Sequence, residues 1–329
     1  MDKINNPTIS NPTATPNVPD FPPRVLIDFA TDCNLRCPQC LVWNEDNGIK
    51  SGKVKGVMPE QYALRILEQL YKFHPMVHPS LWAEPLIVPN FTKYVSLMKS
   101  KGLKVSMNTN GIALTDKLAN FFVEVRLDAI MFSIDAVTPA TLMKIRGIKK
   151  ISTLERAVTK MLTARGNRIF PRIGVSFTVQ EANEGELDAF IERWLGKVDV
   201  IRISHKFENG NFYNLTSPKD RIPCPALYKT MPIHSDGTVS ICCLDGFRTT
   251  NMGNAFEDNL KNIWNGHKFN AIRKLHETGR WDEIDICASC NGWSQESYTE
   301  EVKDDHLIRR SPLYTYYNKL SALDSAEWT

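Results

Sequence analysis

The feature of this 329-residue sequence that most limits how it can fold is the placement of its eight cysteines. Three of them, Cys33, Cys37 and Cys40, lie within eight residues, and no further cysteine occurs before Cys224. The late group consists of Cys224, Cys242, Cys243, Cys287 and Cys290. Core cysteines placed at random would rarely leave such a gap. The pattern therefore predicts two metal sites, one at each end of the folded part of the chain.

The composition is that of an ordinary globular protein, with 42% hydrophobic and 23% charged residues. The N-terminus lacks the apolar core of a signal peptide, and no apolar run approaches the roughly 20 residues that span a bilayer. We therefore expect a cytoplasmic protein without a membrane partner. Because disulfides are rare in that compartment, the cysteines are expected to bind metal or to act in catalysis.

The charge balance excludes one class of function. The chain has 40 Lys and Arg residues against 37 Asp and Glu residues, which gives a formal net charge of +3. A protein held on nucleic acid mainly by counterion release would carry a much larger basic excess. We therefore expect no nucleic-acid partner.

Strands and helices alternate through most of the chain. Apolar runs predict strands at 25–29, 81–82, 104–108, 129–134, 173–179 and 200–203, with helices from residue 59 and at 91–101, 115–125, 152–164 and 184–194. Six βα units in a row predict an α/β fold, a partial (β/α)6 TIM-like barrel with a small C-terminal domain. In such sheets, catalytic residues collect at the carboxyl ends of the strands.

The same pattern predicts the domain boundaries. Residues 1–22 are rich in Asn, Pro and Thr, which predicts a disordered or draped arm. The barrel is expected over 23–210. Beyond it the βα rhythm breaks, so 211–296 are expected to form the small domain, with one helix at 256–276, and 297–329 a C-terminal tail.

The first three cysteines have the spacing C-x3-C-x2-C, on the loop that follows the first predicted strand. Three thiolates are an odd number for a closed zinc site, which takes four nitrogen or sulfur ligands. They suit a [4Fe-4S] cluster in which three irons are held and the fourth is open to a small chelating ligand. Buried or zinc-bound cysteines are the alternative interpretation.

This spacing on this loop resembles the radical S-adenosylmethionine (SAM) superfamily, in which the open iron binds the amino acid end of SAM. Segments 81–85, 107–111 and 133–135 also resemble that family. The resemblance implies that Cys33, Cys37 and Cys40 hold the catalytic cluster. It further implies cofactor contacts from Trp82, Ala83, Glu84, Asn108, Ser133, Arg146 and Ser176, with Arg146 pairing with the SAM carboxylate. For each of these residues alone, a turn at a strand end is the alternative.

Four late cysteines have the spacing C-x17-C-x44-C-x2-C, a complete ligand set for zinc or for an iron–sulfur cluster. Spacing alone leaves both metals open. Segment 234–242 resembles the hairpin that leads into the auxiliary-cluster domain of radical SAM enzymes, in the shortened form called Twitch, which has one auxiliary cluster. The resemblance implies a second [4Fe-4S] cluster on Cys224, Cys242, Cys287 and Cys290. A structural zinc is the alternative.

One cysteine, Cys243, is left over. Adjacent residues on an extended segment point opposite ways, so Cys242 and Cys243 cannot easily hold the same cluster. Cys243 is a spare core thiol, a replacement ligand, or a hydrogen-atom donor that faces the substrate, and these alternatives stay open. Asp245 is the nearest candidate general base, with a solvated turn residue as the alternative. His205 and Glu208, just past the last predicted strand, are weaker candidates.

The resemblance implies an enzyme that cleaves SAM reductively, makes a 5′-deoxyadenosyl radical and abstracts hydrogen from a C–H bond. It implies a small polar substrate of sugar, aminoglycoside or aminocyclitol type, and an electron donor such as flavodoxin or ferredoxin. The spare Cys243 favours epimerisation, with dehydrogenation as the close alternative. Modification of a ribosomal peptide is a further alternative. A non-catalytic iron–sulfur or zinc protein is the alternative from another class.

Overall fold

The computed structural model describes residues 8–10, 16–47, 52–216 and 220–323. The predicted N-terminal arm lies partly outside these residues, as does the end of the predicted C-terminal tail. The described end of the arm packs against the protein: the Trp264 indole N–H donates to the Pro19 carbonyl (2.9 Å), and the buried Phe21 ring stacks on Phe73.

The strands that the structure describes are numbered here in chain order. They are β1 (Thr8–Ser10), β2 (Arg24–Ile27), β3 (Ala30–Thr31), β4 (Gly56–Val57), β5 (Met76–His78), β6 (Lys104–Thr109), β7 (Ala129–Ser133), β8 (Arg172–Val179), β9 (Val200–His205), β10 (Phe207–Glu208), β11 (Asn211–Phe212), β12 (Thr230–Ile233), β13 (Thr238–Val239), β14 (Gly253–Asn254), β15 (Tyr298–Lys303), β16 (His306–Arg310) and β17 (Tyr314–Lys319).

The α-helices are numbered in the same way. They are α1 (Glu60–Leu70), α2 (Phe91–Ser100), α3 (Asp116–Glu124), α4 (Pro139–Arg146), α5 (Ile151–Arg165), α6 (Leu187–Trp194), α7 (Ala226–Lys229), α8 (Leu260–Trp264), α9 (His267–Glu277) and α10 (Asp285–Ala288). Among the described helices, none is long and apolar enough to cross a bilayer.

The centre of the molecule is a parallel sheet in the order β12-β2-β5-β6-β7-β8-β9. From β2 to β9, each strand pairs with the next parallel strand along the chain, which is the arrangement that successive βα units produce. The predicted α/β fold with a mostly parallel sheet is therefore confirmed. The strand β12, from the C-terminal part, pairs in parallel with β2 and extends the sheet on that side.

The two faces of this sheet differ in chemistry. One face packs against the helices: Val105, Phe132 and Ile201 are buried in the same apolar cluster as Leu67 of α1 and Val158 of α5. Because side chains alternate along a strand, the residues between them face the interior of the curved sheet. These inner-face residues are largely polar: His78, Ser106, Asn108, Ser133, Ser176, Thr178, Arg202 and Ser204.

Three local predictions were wrong. Residues 81–82 are not a strand, because the N–H groups of Leu81 and Trp82 donate to a carboxylate and not to a neighbouring strand; the strand is β5. The predicted helix at 256–276 is two helices, since Gly266 separates α8 from α9 and glycine is a poor helix former. Helix α4 was missed, although Thr138 caps its start and Gly147 ends it.

The segment predicted as a tail contains ordered strands. Strands β15, β16 and β17 form an antiparallel meander, and β17 pairs with β9. The register places Tyr316 opposite Arg202 and Tyr314 opposite Ser204. Two tyrosines thus join the inner face of the sheet at the edge that is not occupied by β12.

Core packing on β9 gives a first prediction. Ile201 is 1% exposed, so Ile201→Ala should lower the free energy of unfolding by about 2–5 kcal/mol. The same substitution at Ile169, which is 58% exposed, should change it by less than about 0.5 kcal/mol. Anaerobic urea denaturation of the reconstituted protein, followed by circular dichroism, measures both. Equal effects of the two substitutions would contradict the described packing of β9.

Candidate active site

The first three cysteines lie on the loop that leaves the carboxyl end of β2. The Leu35 N–H donates to the Cys33 sulfur (3.5 Å), and the Trp43 N–H donates to the Cys40 sulfur (3.2 Å). The Cys40 N–H donates to the Cys37 carbonyl (2.9 Å), which turns the loop back on itself. Backbone donors aimed at sulfur favour the thiolate form, which is the form that binds metal.

The three thiols are close enough that the charge of one raises the pKa of another. Burial, with smaller contributions from the charges of Glu84, Cys37 and Cys40, raises the pKa of Cys33 to about 12. Burial also raises the pKa of Cys37 and of Cys40, while Arg146 opposes the rise at both. With all three pKa values raised, ionisation of the three thiols together is favoured only when a bound cation stabilises it, which is what an iron–sulfur cluster supplies.

A buried carboxylate at the end of β2 shapes the neighbouring loop. Asp28 is fully buried and accepts hydrogen bonds from the N–H groups of Leu81 (2.6 Å), Trp82 and Ala83. Burial raises the pKa of Asp28 to about 6, although these donors oppose the rise. The family resemblance predicts that Trp82 and Ala83 contact SAM, but their N–H groups donate to Asp28. These residues can therefore contact SAM only through their carbonyls and side chains.

Glu84 joins two loops at the same edge of the sheet. Its carboxylate accepts hydrogen bonds from the Thr109 hydroxyl (2.6 Å), the Asn110 N–H (2.7 Å) and the Leu86 N–H (3.1 Å). The Asn110 amide in turn donates to the Asn34 side chain on the cysteine loop (2.7 Å). Glu84 is 3% exposed and its acceptors are occupied, so its observed role is to position the loop after β6.

Arg146, at the end of α4, lies beside the cysteine loop. Its guanidinium forms a buried ion pair with Asp135 (2.5 Å), and the charges of Asp135, Cys37 and Cys33 raise its pKa. The Arg146 Nε is buried and has no hydrogen-bond partner among the described residues. Asp135 also accepts from the Gln39 amide (2.7 Å) and the Thr178 N–H (2.8 Å). The arginine therefore has one donor still available beside the cluster cysteines.

The other predicted SAM contacts lie on the inner face of the sheet. Ser133 and Ser176 are direct partners in the pairing of β7 with β8, and Arg202 and Tyr316 continue that row across β9 and β17. Asn108 lies on the same face of β6, one residue before its end. The structure thus brings Asn108, Ser133 and Ser176 to one concave surface next to the cysteine loop.

The four late ligand candidates also converge. Burial raises the pKa of Cys224 and of Cys287 to about 12, and at Cys224 the charges of Cys290 and Cys287 add to the rise. The pKa of Cys242 is raised well above its usual value by burial and by the charges of Cys243, Cys224 and Cys287. These effects place the four thiols near one another, but among the described residues no group of three or more side chains is arranged to hold a metal ion, so their assignment to one cluster stays a prediction.

Two groups support the backbone of this second set. The Arg221 guanidinium donates to the Cys287 carbonyl (2.9 Å) and stacks on the Trp281 ring at 4.6 Å from its centroid. The Cys224 N–H donates to His276 Nδ1 (3.3 Å), and burial lowers the pKa of His276 to about 4, so this ring is a neutral acceptor. Arg221 and His276 were not selected from the sequence, because neither lies in a recognisable local motif.

Cys243 differs from its neighbour Cys242. Its side chain is exposed, although enough protein surrounds the thiol that burial raises its pKa. A group that lines a solvent-filled recess has both properties. The loop that carries it packs on the first cysteine loop, since a Cβ at Gly246 would lie 2.4 Å from Val42 and 2.7 Å from Trp82. Cys243 therefore lies on a loop that touches both cysteine sites.

The remaining candidates have other environments. Asp245 is 2% exposed, and its two oxygens accept four hydrogen bonds from the N–H and hydroxyl groups of Thr249 and Thr250. Its observed role is thus to fix the turn after Cys243. His205 lies on the helix-facing side of β9, and Glu208 forms an ion pair with Lys206. The described geometry brings neither to the inner face.

Asp28 and Asp135 are the site residues that sequence reasoning did not select. Each had a visible signal, because a carboxylate at the end of an apolar strand must have partners if it is buried. Asp135 also adopts a positive φ of 63°, a conformation that is uncommon outside glycine.

Two protein-family models match the chain over the regions that carry the cysteines. The model of the radical SAM superfamily matches residues 27–193, just over half of the chain. The chain belongs to the radical SAM superfamily. The model of the SPASM iron-sulfur cluster-binding domain matches residues 224–291, which include all four late ligand candidates.

Curated relatives are distant. A tungsten-containing aldehyde ferredoxin oxidoreductase cofactor-modifying protein of Pyrococcus furiosus is 26% identical over 188 residues, which cover 55% of this chain and only 51% of that protein. The chain thus matches about half the length of that relative. An S-adenosyl-L-methionine-dependent 2-deoxy-scyllo-inosamine dehydrogenase of Niallia circulans is 21% identical, covering 85% of this chain and 96% of the relative.

Solved structures of radical SAM proteins share the fold. BtrN in complex with AdoMet and 2-DOIA superposes with a TM-score of 0.54 at 18% identity, covering 80% of this chain and 91% of BtrN. Streptococcus suis SuiB bound to S-adenosylmethionine superposes with a TM-score of 0.63 at 13% identity, covering 84% of this chain and 74% of SuiB.

Membership implies SAM and two [4Fe-4S] clusters, one catalytic and one auxiliary, and the residues present fit these groups. Three thiols beside an arginine with an available donor suit a cluster with an open iron and an anionic cofactor end. Four converging thiols suit a closed cluster. The expected cofactors, SAM and two [4Fe-4S] clusters, are thereby confirmed. The individual cluster ligands and SAM contacts remain predictions.

Iron content tests the two ligand sets. We expect about eight irons per reconstituted chain, and about four in the Cys33→Ala/Cys37→Ala/Cys40→Ala variant. Replacement of the four late cysteines by alanine should also leave about four. Cys243→Ala is the matched control and should retain about eight. Iron assay with Mössbauer spectroscopy measures this, and loss of a cluster in the control variant would contradict the assignment of Cys242.

The Asp28 contacts give a prediction for SAM binding. In Asp28→Asn the new amide places an NH2 group against N–H donors, so the loop at 81–83 should shift and the SAM Kd should rise about tenfold. Asp116→Asn, at an exposed position on α3, should leave it unchanged. Because the pKa of Asp28 is about 6, the wild-type protein and Asp116→Asn should lose affinity as the pH falls through 6, whereas Asp28→Asn should not. Calorimetric titration measures the Kd, and a pH-independent value in the wild-type protein would argue against this role.

Proposed function

We propose that this radical SAM enzyme epimerises a small polar substrate of sugar, aminoglycoside or aminocyclitol type. The observation that carries the proposal is the exposed Cys243, on a loop that packs against Val42 of the first cysteine loop and against Trp82 of the loop after β5. The polar inner face of the barrel suits a hydroxylated substrate better than an apolar one. The full-length likeness to a 2-deoxy-scyllo-inosamine dehydrogenase supports the same substrate class.

The reaction divides between the bound groups and the protein. The catalytic cluster, when bound, supplies the electron that cleaves SAM to methionine and a 5′-deoxyadenosyl radical, which takes a hydrogen atom from the substrate. Arg146 is assigned to the SAM carboxylate, and Ser133 and Ser176 to its polar groups. The carbonyl side of the 81–85 loop, held by Asp28, completes this cradle.

Cys243 determines the outcome in this proposal. After hydrogen abstraction, the substrate carbon has one unpaired electron, and the Cys243 S–H gives it a hydrogen atom on the opposite face. The inverted product forms, and Cys243 is left as a thiyl. One electron from a donor such as flavodoxin or ferredoxin, with one proton from solvent, restores the thiol. Asp245 positions this loop through its bonds to Thr249 and Thr250.

Dehydrogenation is the second candidate, and the Niallia circulans relative favours it. In that case the auxiliary cluster, which Cys224, Cys242, Cys287 and Cys290 would hold, would supply an acceptor for one electron of the substrate radical, a base would take the proton, and Cys243 would take no part. Peptide modification is a third candidate, since the SuiB structure bound to precursor peptide SuiA superposes with a TM-score of 0.60. These outcomes differ in product mass and in deuterium content.

The test uses the anaerobically reconstituted enzyme in D2O, with a panel of sugars and aminocyclitols that begins with 2-deoxy-scyllo-inosamine. We expect one solvent deuteron at one carbon of an isomeric product, because a thiol exchanges with solvent. Mass spectrometry and NMR of the product measure this. Cys243→Ala should lower formation of the inverted product at least a hundredfold, whereas Leu244→Ala should not.

Two results would contradict epimerisation. A product two hydrogens lighter, without deuterium, would establish dehydrogenation. Inverted product formed by Cys243→Ala at the wild-type rate would exclude Cys243 as the donor.

A further inference from the structure

Two arginines lie on the inner face of the barrel without an assigned role. Val25 and Ile27 of β2 are buried in the core that faces the helices, so Arg24 occupies the alternate face of its strand. The same alternation applies on β9, where Ile201 and Ile203 are in the core and Arg202 faces inward.

The two arginines face the same part of the barrel interior. Arg24 lies one strand from His78, because β2 pairs with β5, and Arg202 lies one strand from Tyr314, because β9 pairs with β17. Beside burial, which is the larger cause, both guanidinium groups lower the pKa of His78, and both act on the phenol of Tyr314. The region that the two side chains share is bounded by β2, β5, β9 and β17.

Among the described residues, the positive charge of this region has no carboxylate partner. Other arginines of the barrel form ion pairs with carboxylates: Arg146 with Asp135, Arg165 with Asp199, and Arg193 with Glu155. Within the described part of the chain, neither Arg24 nor Arg202 forms an ion pair. The Arg202 Nε is buried and has no hydrogen-bond partner there.

Two like charges in one recess lower stability unless a ligand compensates them. His78 adds no further positive charge, because burial and the two arginines lower its pKa to about 3 and keep it neutral. The rings of Tyr314 and Tyr316 lie 5.7 Å apart on the adjoining strand and add two hydroxyl groups. Guanidinium and phenol donors around an open recess are the groups that bind carboxylate and phosphate oxygens.

We propose that Arg24 and Arg202 form an anion subsite in the barrel, which binds a carboxylate or phosphate group of the substrate. This rests on the proposed function and narrows it: of the proposed substrate types, a sugar that carries a carboxylate or phosphate group is favoured over a cationic aminoglycoside or aminocyclitol. The register places Arg202 one strand from Ser176 and two strands from Ser133. A substrate held by its anionic group at Arg202 would thus extend toward the SAM cradle.

The C-terminal strands take part in this subsite. Tyr316 lies directly opposite Arg202, and Tyr314 lies opposite Ser204. Strands β15–β17 therefore do more than cover the edge of β9, because they bring phenol groups to the inner face. The anion subsite consists of residues from both ends of the chain.

The test measures binding of small probes to the reconstituted holoenzyme with SAM bound. The probes are acetate, inorganic phosphate and the neutral acetate isostere acetamide, titrated by NMR. We expect acetate or phosphate to bind at least tenfold more tightly than acetamide, and the preferred anion identifies the substrate group. Arg202→Gln should abolish the preference and Arg202→Lys should retain part of it. Arg156→Gln, on the exposed face of α5, should leave it intact.

Three results would overturn the subsite. They are equal binding of all three probes, an unchanged anion preference in Arg202→Gln, and an Arg202→Gln variant that loses SAM affinity while it keeps the anion preference. The last result would assign the arginine to the cofactor carboxylate. Cleavage of SAM by the wild-type protein is assayed in parallel. Its absence would refute the proposed function, whereas cleavage without anion preference would refute the subsite alone.

Discussion

The buried ion pair between Arg146 and Asp135 is the contact on which the active edge of the barrel depends. Burying two charges costs several kcal/mol per ion unless each has further partners. Asp135 has them, because it accepts from Gln39 on the cysteine loop and from the Thr178 N–H on β8. The pair thereby ties α4, the end of β7, β8 and the cysteine loop to one point. It also leaves the arginine with positive charge beside thiols that must ionise when a cluster binds.

The same device recurs at neighbouring strands. Asp28 at the end of β2 and Glu84 after β5 are both buried, and their oxygens accept N–H groups of adjoining loops. Apolar packing holds the helices on the sheet but is non-directional, whereas a carboxylate with two or three donors fixes a loop in one orientation. The site therefore has an apolar outer support and a polar set of restraints at its edge. Asp28 and Glu84 accordingly accept most of their hydrogen bonds from backbone N–H groups, so these carboxylates position loops.

The sequence predicted the sheet and the two cysteine sites better than it predicted the roles of individual carboxylates. Alternation and apolar runs predicted the parallel sheet, since the helix-facing residues of every strand must be buried. Cysteine spacing predicted both cluster sites, because ligand number is a covalent requirement. Residue type alone did not predict which carboxylates position loops by accepting hydrogen bonds from them. Glu84 and Asp245 have the residue types of catalytic groups, but their acceptors are occupied by Thr109, Thr249 and Thr250. The strands β15–β17 were also missed, because their alternating polar residues show no apolar run.

The sequence placed the two cysteine groups toward opposite ends of the chain, yet the fold brings them to one edge of the barrel. Parallel pairing of β12 with β2 is the cause: it carries the chain back beside the strand that precedes Cys33, so the loop after β13 lies against the first cysteine loop. The close approach of Gly246 to Val42 and Trp82 leaves no room for a side chain between them. The loop that carries Cys243 is therefore packed against the loops of the first site. A thiol on a loop fixed in this way would approach a bound substrate from one side, as the inverting hydrogen donor proposed above must.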